Sequence, residues 1–172
     1  MQEMSGRWKN LYIAITLLTA ANSISPQADD YKERKVEVVI GKIVEGVPGS
    51  GSTIILLEKD AKSPRYLPIT IGLCEAVSLR EYLEDRSFPR PLTYNLIINM
   101  LSRQNIKILE AVITKLEGST FYARLFLKRG DEIWWEDARP SDAINIALRA
   151  NAPIYVMEEL LNSYQKEENR EK

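Results

Sequence analysis

The chain has 172 residues, 45% of them hydrophobic, which suits one domain with a sizeable core; its formal net charge of −1 lays down no overall basic footprint for nucleic acid. There is no histidine and a single cysteine, Cys74, which excludes Ser-His-Asp and Cys-His catalysis, histidine metal sites and an intramolecular disulfide. Catalysis would have to run on carboxylates, tyrosine, arginine or lysine, with a hard, oxygen-loving cation where a metal is needed.

At the start of the chain, Arg7 and Lys9 precede the apolar run LYIAITLLTAA (11–21), and small residues such as Ala21 and Ser23 follow. This pattern predicts a signal peptide or N-terminal anchor over residues 1–23, hence an exported or membrane-anchored protein; a cytoplasmic protein with a mobile N-terminal helix is the alternative. Eleven apolar residues are short for a membrane span, so no stable embedding of the domain is expected. Residues 24–34 read as a linker, 35–162 as the folded domain and 163–172 as a charged, solvated tail.

Within the domain, KVEVVIGKIV (35–44), TIILLE (53–58), YLPITI (66–71), IKILEAVITKL (106–116), TFYARLFLK (120–128) and DEIWWED (131–137) read as strands. Turns are marked by GVPGSG (46–51), DAKSP (60–64), LEGS (116–119) and KRGD (128–131). Helical spacing places Ala76, Leu79 and Leu83 on one face of a first helix. A second follows a Thr93 cap, with Leu96, Ile97, Met100 and Leu101 as its apolar face. A third, with Ile144, Ala147 and Leu148, is capped by Ser141 and ended by Asn151 and Pro153. A short last helix covers 157–165.

The tripeptide GST occurs at 51–53 and 118–120, and the same offset of 67 carries Glu75-Ala76 onto Asp142-Ala143. The fold class expected is therefore α+β, with mixed or antiparallel sheets, three to four helices and internal duplication of a β-β-β-α unit. Glu75 and Asp142 would be pseudo-equivalent, each in the first turn of a helix that follows a strand.

The stretch WWEDARPSDAINIALRANAPIYV (134–156) gathers Asp137, Arg139 and Asp142 around a proline where a strand becomes a helix. Asp142 could simply complement the helix N-terminus, for about 1 kcal/mol, with Pro140 setting the first turn and Arg139 paired to Asp137. That does not account for Asp137, which lies at a strand end. A ligand site at the strand–helix junctions is the other reading, with carboxylates to hold a divalent cation and a guanidinium to bind phosphate.

DARPSDAINIALRANAPIYV closely resembles the signature of the bifunctional nuclease family. LPITIGLCEA (67–76), RPLTYNLI (90–97) and the strand TFYARLFL (120–127) are similar to further blocks of that family in the same order, over roughly residues 36–160. The resemblance implies a compact α+β domain acting on DNA and RNA as substrates, that is, phosphodiester hydrolysis. The family-typical polar positions carried over are Glu75, Arg90, Thr93, Asp137, Arg139, Ser141 and Asp142. Where the family commonly shows histidine then aspartate, this chain has Tyr94 and Asn95, and neither replaces a base or a charged ligand at neutral pH.

The implied mechanism has Glu75, Asp137 and Asp142 holding Mg²⁺ or Mn²⁺, with Arg139 stabilising charge on the phosphate. Arg90, Thr93, Tyr94, Asn95 and Ser141 would contact substrate. The rival reading is a non-catalytic binding module that keeps the fold and has lost the His-Asp pair. Cys74 is expected to be a buried small side chain. Of Trp134 and Trp135, on opposite faces of one strand, one should enter the core and the other fill a homo-oligomer interface, in a dimer or larger assembly, or stack on a base.

Overall fold

In the computed structural model, residues 34–47, 51–86 and 88–171 are described, with backbone only at 164 and 166–171. The expected signal peptide or anchor (1–23) lies outside them. The described elements run β1 (Lys35–Glu45), β2 (Ser52–Glu58), β3 (Tyr66–Ile71), α1 (Leu73–Leu83), α2 (Thr93–Arg103), β4 (Lys107–Glu117), β5 (Thr120–Arg129), β6 (Glu132–Ala138), α3 (Pro140–Arg149), β7 (Ile154–Met157) and α4 (Glu158–Glu171). The fold is α+β. One mixed sheet has the order β3-β2-β1-β7-β4-β5-β6, with β7 antiparallel to β1 and parallel to β4.

Local sequence explains most of these elements. Gly118-Ser119 closes a two-residue hairpin between the paired Glu117 and Thr120, and Gly130-Asp131 does the same between Arg129 and Glu132. Both glycines adopt positive φ, at 59° and 60°, as such tight turns demand. Period-2 alternation buries Ile54 and Leu56, Leu67 and Ile69, and Ala123, Leu125 and Leu127 on one face of the sheet. Ala76 and Leu79 of α1, Ile144 and Ala147 of α3 and Leu161 of α4 join them in a single core. Asn105 and Asn151, with φ of 55° and 53°, terminate α2 and α3 in the left-handed conformation that asparagine tolerates.

Several expectations need correction. Neither Thr93 nor Ser141 caps a helix: the N-cap residues are Leu92 and Arg139, no side chain caps either end, and Ser141 is buried inside the first turn. Leu96 and Met100 of α2 are exposed, because this helix turns Tyr94 inward instead. Leu83 is likewise exposed. Cys74 is exposed, since α1 presents its first turn to solvent. The last helix continues to Glu171 rather than ending near 165.

The order β-β-β-α occurs twice, in β1-β2-β3-α1 and β4-β5-β6-α3, with α2 between them. β3 and β6 end 67 residues apart, at Ile71 and Ala138, while β2 and β5 begin 68 apart, at Ser52 and Thr120. Duplication of one unit stays a proposal.

Candidate active site

β3 and β6 each hand the chain directly into a helix, and the N-terminal turns of α1 and α3 meet. Glu75 and Asp142 occupy the same place, the third residue of their helices, where a carboxylate complements the positive end of the helix. Between them lies Arg139, held in extended backbone as the residue before Pro140. Its Nε donates to Asp142 Oδ2 at 2.7 Å and its Nη2 to Asp142 Oδ1 at 3.0 Å, a bidentate fork. The same Nη2 stands 2.9 Å from Glu75 Oε1. From α2, the buried Tyr94 donates its hydroxyl to Asp142 Oδ1 at 2.7 Å.

The side chains of Glu75 and Asp142 are 17% and 26% exposed, and that of Arg139 is 67% exposed: the acids are sheltered and the cation faces outward. Asp142 holds the Arg139 guanidinium firmly protonated. Burial, then the hydrogen bond to Asp142, pushes the Tyr94 phenol above its ordinary range, so it stays a donor at neutral pH. Gly72 permits the arrangement, because the Glu75 carboxylate folds back over it and a Cβ there would collide with Oε2.

A layer beneath fixes the helices. Asn145, fully buried in α3, donates through Nδ2 to the carbonyls of Ser141 (2.9 Å) and Glu75 (3.3 Å), tying the two helix starts together. One turn on, Arg149 donates to Asn145 O and Oδ1, to Ser78 O and Oγ, and to Asn95 Oδ1. Its guanidinium lies 5.0 Å and 5.3 Å from the rings of Tyr82 and Tyr94. Sequence reading missed Asn145, Arg149 and Gly72. An asparagine inside the apolar run AINIA was the available signal for the first.

The meeting of the helices leaves an open cleft of about 890 Å³, walled by Leu73, Val77, Leu92, Ile97 and Ile146. Glu75, Thr93, Tyr94, Asp137, Arg139 and Asp142 all line it, and so does Cys74. Arg90 and Asn95 line a smaller neighbouring cavity, and the Ser141 side chain is buried. The expected Arg139–Asp137 pair does not form, because Arg139 turns to Asp142 and Glu75; Asp137 lies on exposed β6 opposite Arg124. Trp134 packs against the core, and Trp135, on the other face, lies under the Arg124 guanidinium at 4.0 Å.

Among the described residues no three of Cys, Asp or Glu converge to hold a metal. The Arg139 guanidinium occupies the space between Glu75 and Asp142.

A family model described as "Bifunctional nuclease domain" matches residues 54–169. An uncharacterized protein of Mycobacterium tuberculosis strain H37Rv is 40% identical over 107 residues, 62% of this chain and 63% of that protein. Bifunctional nuclease 1 of Oryza sativa subsp. japonica is 33% identical over 105 residues, 59% of this chain and 32% of its own length. Bifunctional nuclease 1 of Arabidopsis thaliana is 30% identical over the same shares. The chain thus spans under two thirds of the mycobacterial relative and about a third of the plant proteins.

Proposed function

Because the chain belongs to the bifunctional nuclease domain family, we propose that it hydrolyses phosphodiester bonds of DNA and RNA in the cleft between α1 and α3. The observation that carries this reading is the outward-facing Arg139 guanidinium, poised over two sheltered carboxylates at converging helix N-termini. A phosphodiester entering the cleft would compete for the guanidinium fork, which suits non-bridging phosphoryl oxygens as well as it suits a carboxylate. As Arg139 turns to the phosphate, Glu75 is released to accept a proton from an attacking water. The water oxygen bonds to phosphorus, the ester P–O bond breaks, and the leaving oxygen takes its proton from solvent in the open cleft. Asp142, still held by Tyr94, anchors the start of α3. Metal assistance through Glu75, Asp137 and Asp142 carries a condition: Arg139 must first swing out of the space between the acids.

One observation favours the rival, a non-catalytic binding module. Both oxygens of Asp142 are occupied, by Tyr94 and Arg139, and Tyr94-Asn95 stands where the family signature commonly carries His-Asp. Cleavage assays on single- and double-stranded DNA and RNA, each with EDTA and with Mn²⁺, decide between them. Hydrolysis by the wild type that falls by about two orders of magnitude or more in Glu75→Gln and Arg139→Lys supports the nuclease reading. A wild type no faster than these variants under every condition leaves the binding module.

A further inference from the structure

A second concavity lies on the far side of Leu92. Two adjoining cavities of about 320 and 220 Å³ share Tyr82, Phe88, Pro91, Asn95 and Arg149. Their wall is continuous with the candidate active site, because Glu81 and Leu92 line both the smaller cavity and the large cleft.

The two regions differ in charge. The large cleft sets four carboxylates, Glu75, Glu81, Asp137 and Asp142, against one guanidinium. A polyanion gains little there and is held at the reacting phosphate alone. The second concavity sets three guanidinium groups, Arg86, Arg90 and Arg149, against Glu81. Arg149 is fully engaged by neutral oxygens, so no carboxylate hydrogen bond offsets its charge. Among the described residues no carboxylate pairs with Arg90, and the pairing of Arg86 with Glu84 is an exposed one of the kind that gives way readily. Beside these cations, Phe88 is 42% exposed, a ring free to stack on a base.

The geometry points to a flanking-nucleotide subsite: the Arg86/Arg90/Arg149 concavity binds a phosphate of a single-stranded polynucleotide, with a base on Phe88, while a neighbouring phosphodiester occupies the acidic cleft. This inference rests on the reading of the large cleft as the place of hydrolysis. It gives the division of labour that reading lacks, with affinity supplied on one side of Leu92 and chemistry on the other. Arg149 acts through its field, since its donors are spent; Arg86 and Arg90 make the direct contacts.

The test is fluorescence anisotropy of a labelled single strand of roughly 12 nucleotides, as DNA and as RNA, with a phosphorothioate backbone that keeps the charge and resists hydrolysis, so that binding is read without cleavage. Titrations span about 50 to about 200 mM salt. The Arg86→Gln/Arg90→Gln double variant should lower the slope of log K against log salt by about 0.7, the share of the one phosphate held in the subsite. Phe88→Ala should weaken binding about tenfold with the slope unchanged. Unchanged thermal unfolding of both variants, whose altered side chains are exposed, confirms that the fold is intact. Absence of wild-type binding at the lowest salt, or a slope the double variant does not alter, overturns the subsite. Loss of slope in a protein that never cleaves leaves the subsite standing and strikes the hydrolase reading instead.

Discussion

At Asp142 three donors converge, the Tyr94 hydroxyl and two nitrogens of Arg139, so the carboxylate is anchored rather than poised. Tyr94 is therefore a structural donor, and its pKa carries a testable consequence. The fold raises that pKa above the ordinary 10.0, so its stabilising contribution is complete below pH 10 and lost as pH climbs further. Tyr94→Phe should cost about 1 kcal/mol at neutral pH and remove part of the alkaline decline, measured by chemical denaturation between neutral pH and pH 11. An alkaline limb identical in both proteins would show that Tyr94 is not its source. Gly72 makes the complementary case. Its φ of −64° suits alanine, and the atom in the way is the end of a flexible side chain. Gly72→Ala should then cost under about 1 kcal/mol of stability while dislodging Glu75 from Arg139. Activity lost with the fold intact is the expected result; an unaltered Glu75–Arg139 pair in a crystal structure of the variant would contradict it.

Among the elements, α2 is held to α3 by Arg149 together with the Tyr94–Asp142 hydrogen bond. Arg149 of α3 reaches Ser78 in α1 and Asn95 in α2, and packs by the rings of Tyr82 and Tyr94, so one guanidinium ties three helices. Burial lowers its pKa, the expected cost of holding a cation among neutral oxygens. Arg149→Met should lose about 3 kcal/mol, because the oxygens it satisfies would lose their donor. Amide exchange over Thr93–Arg103 should accelerate more than over α1. Equal acceleration everywhere would mean that the arginine supports the whole fold rather than the docking of α2.

For the whole molecule, sheet order sets where stability resides. β7 is paired on both sides, and Val156 and Ile154 are buried next to Ala111, Val112 and Ile113 of β4. β3 is an edge strand, but next to it Arg65 binds Glu158 and Asn162 of α4. β6 is the other edge, with Ile133 58% exposed. Native-state hydrogen exchange should be slowest in β4 and β7 and fastest, among strands, in β6. Protection of β6 equal to that of β7 would mean that another chain covers that edge, as the expected homo-oligomer would allow.

Six of the seven described strands, the hairpins at Gly118 and Gly130 and the ending of α3 were legible in the sequence, because each is decided by a few neighbouring residues: period-2 alternation, a positive-φ turn, an asparagine stop. The DARPSDA block likewise marked its own strand-to-helix junction, and the blocks around it pointed to the family. Tertiary structure alone decided what those residues touch. Arg139 turns from its sequence neighbour Asp137 to Asp142 and to Glu75, 64 positions away, because β3 and β6 bring two helix starts together. By sequence Tyr94 is a missing histidine; in the fold it is a buried hydroxyl on Asp142, 48 positions on. Asn145 and Arg149 read as ordinary helix residues until α1, α2 and α3 close around them. Contacts of this kind depend on which elements lie side by side, and that is fixed by long-range packing across the sheet, not by any local spacing in the chain.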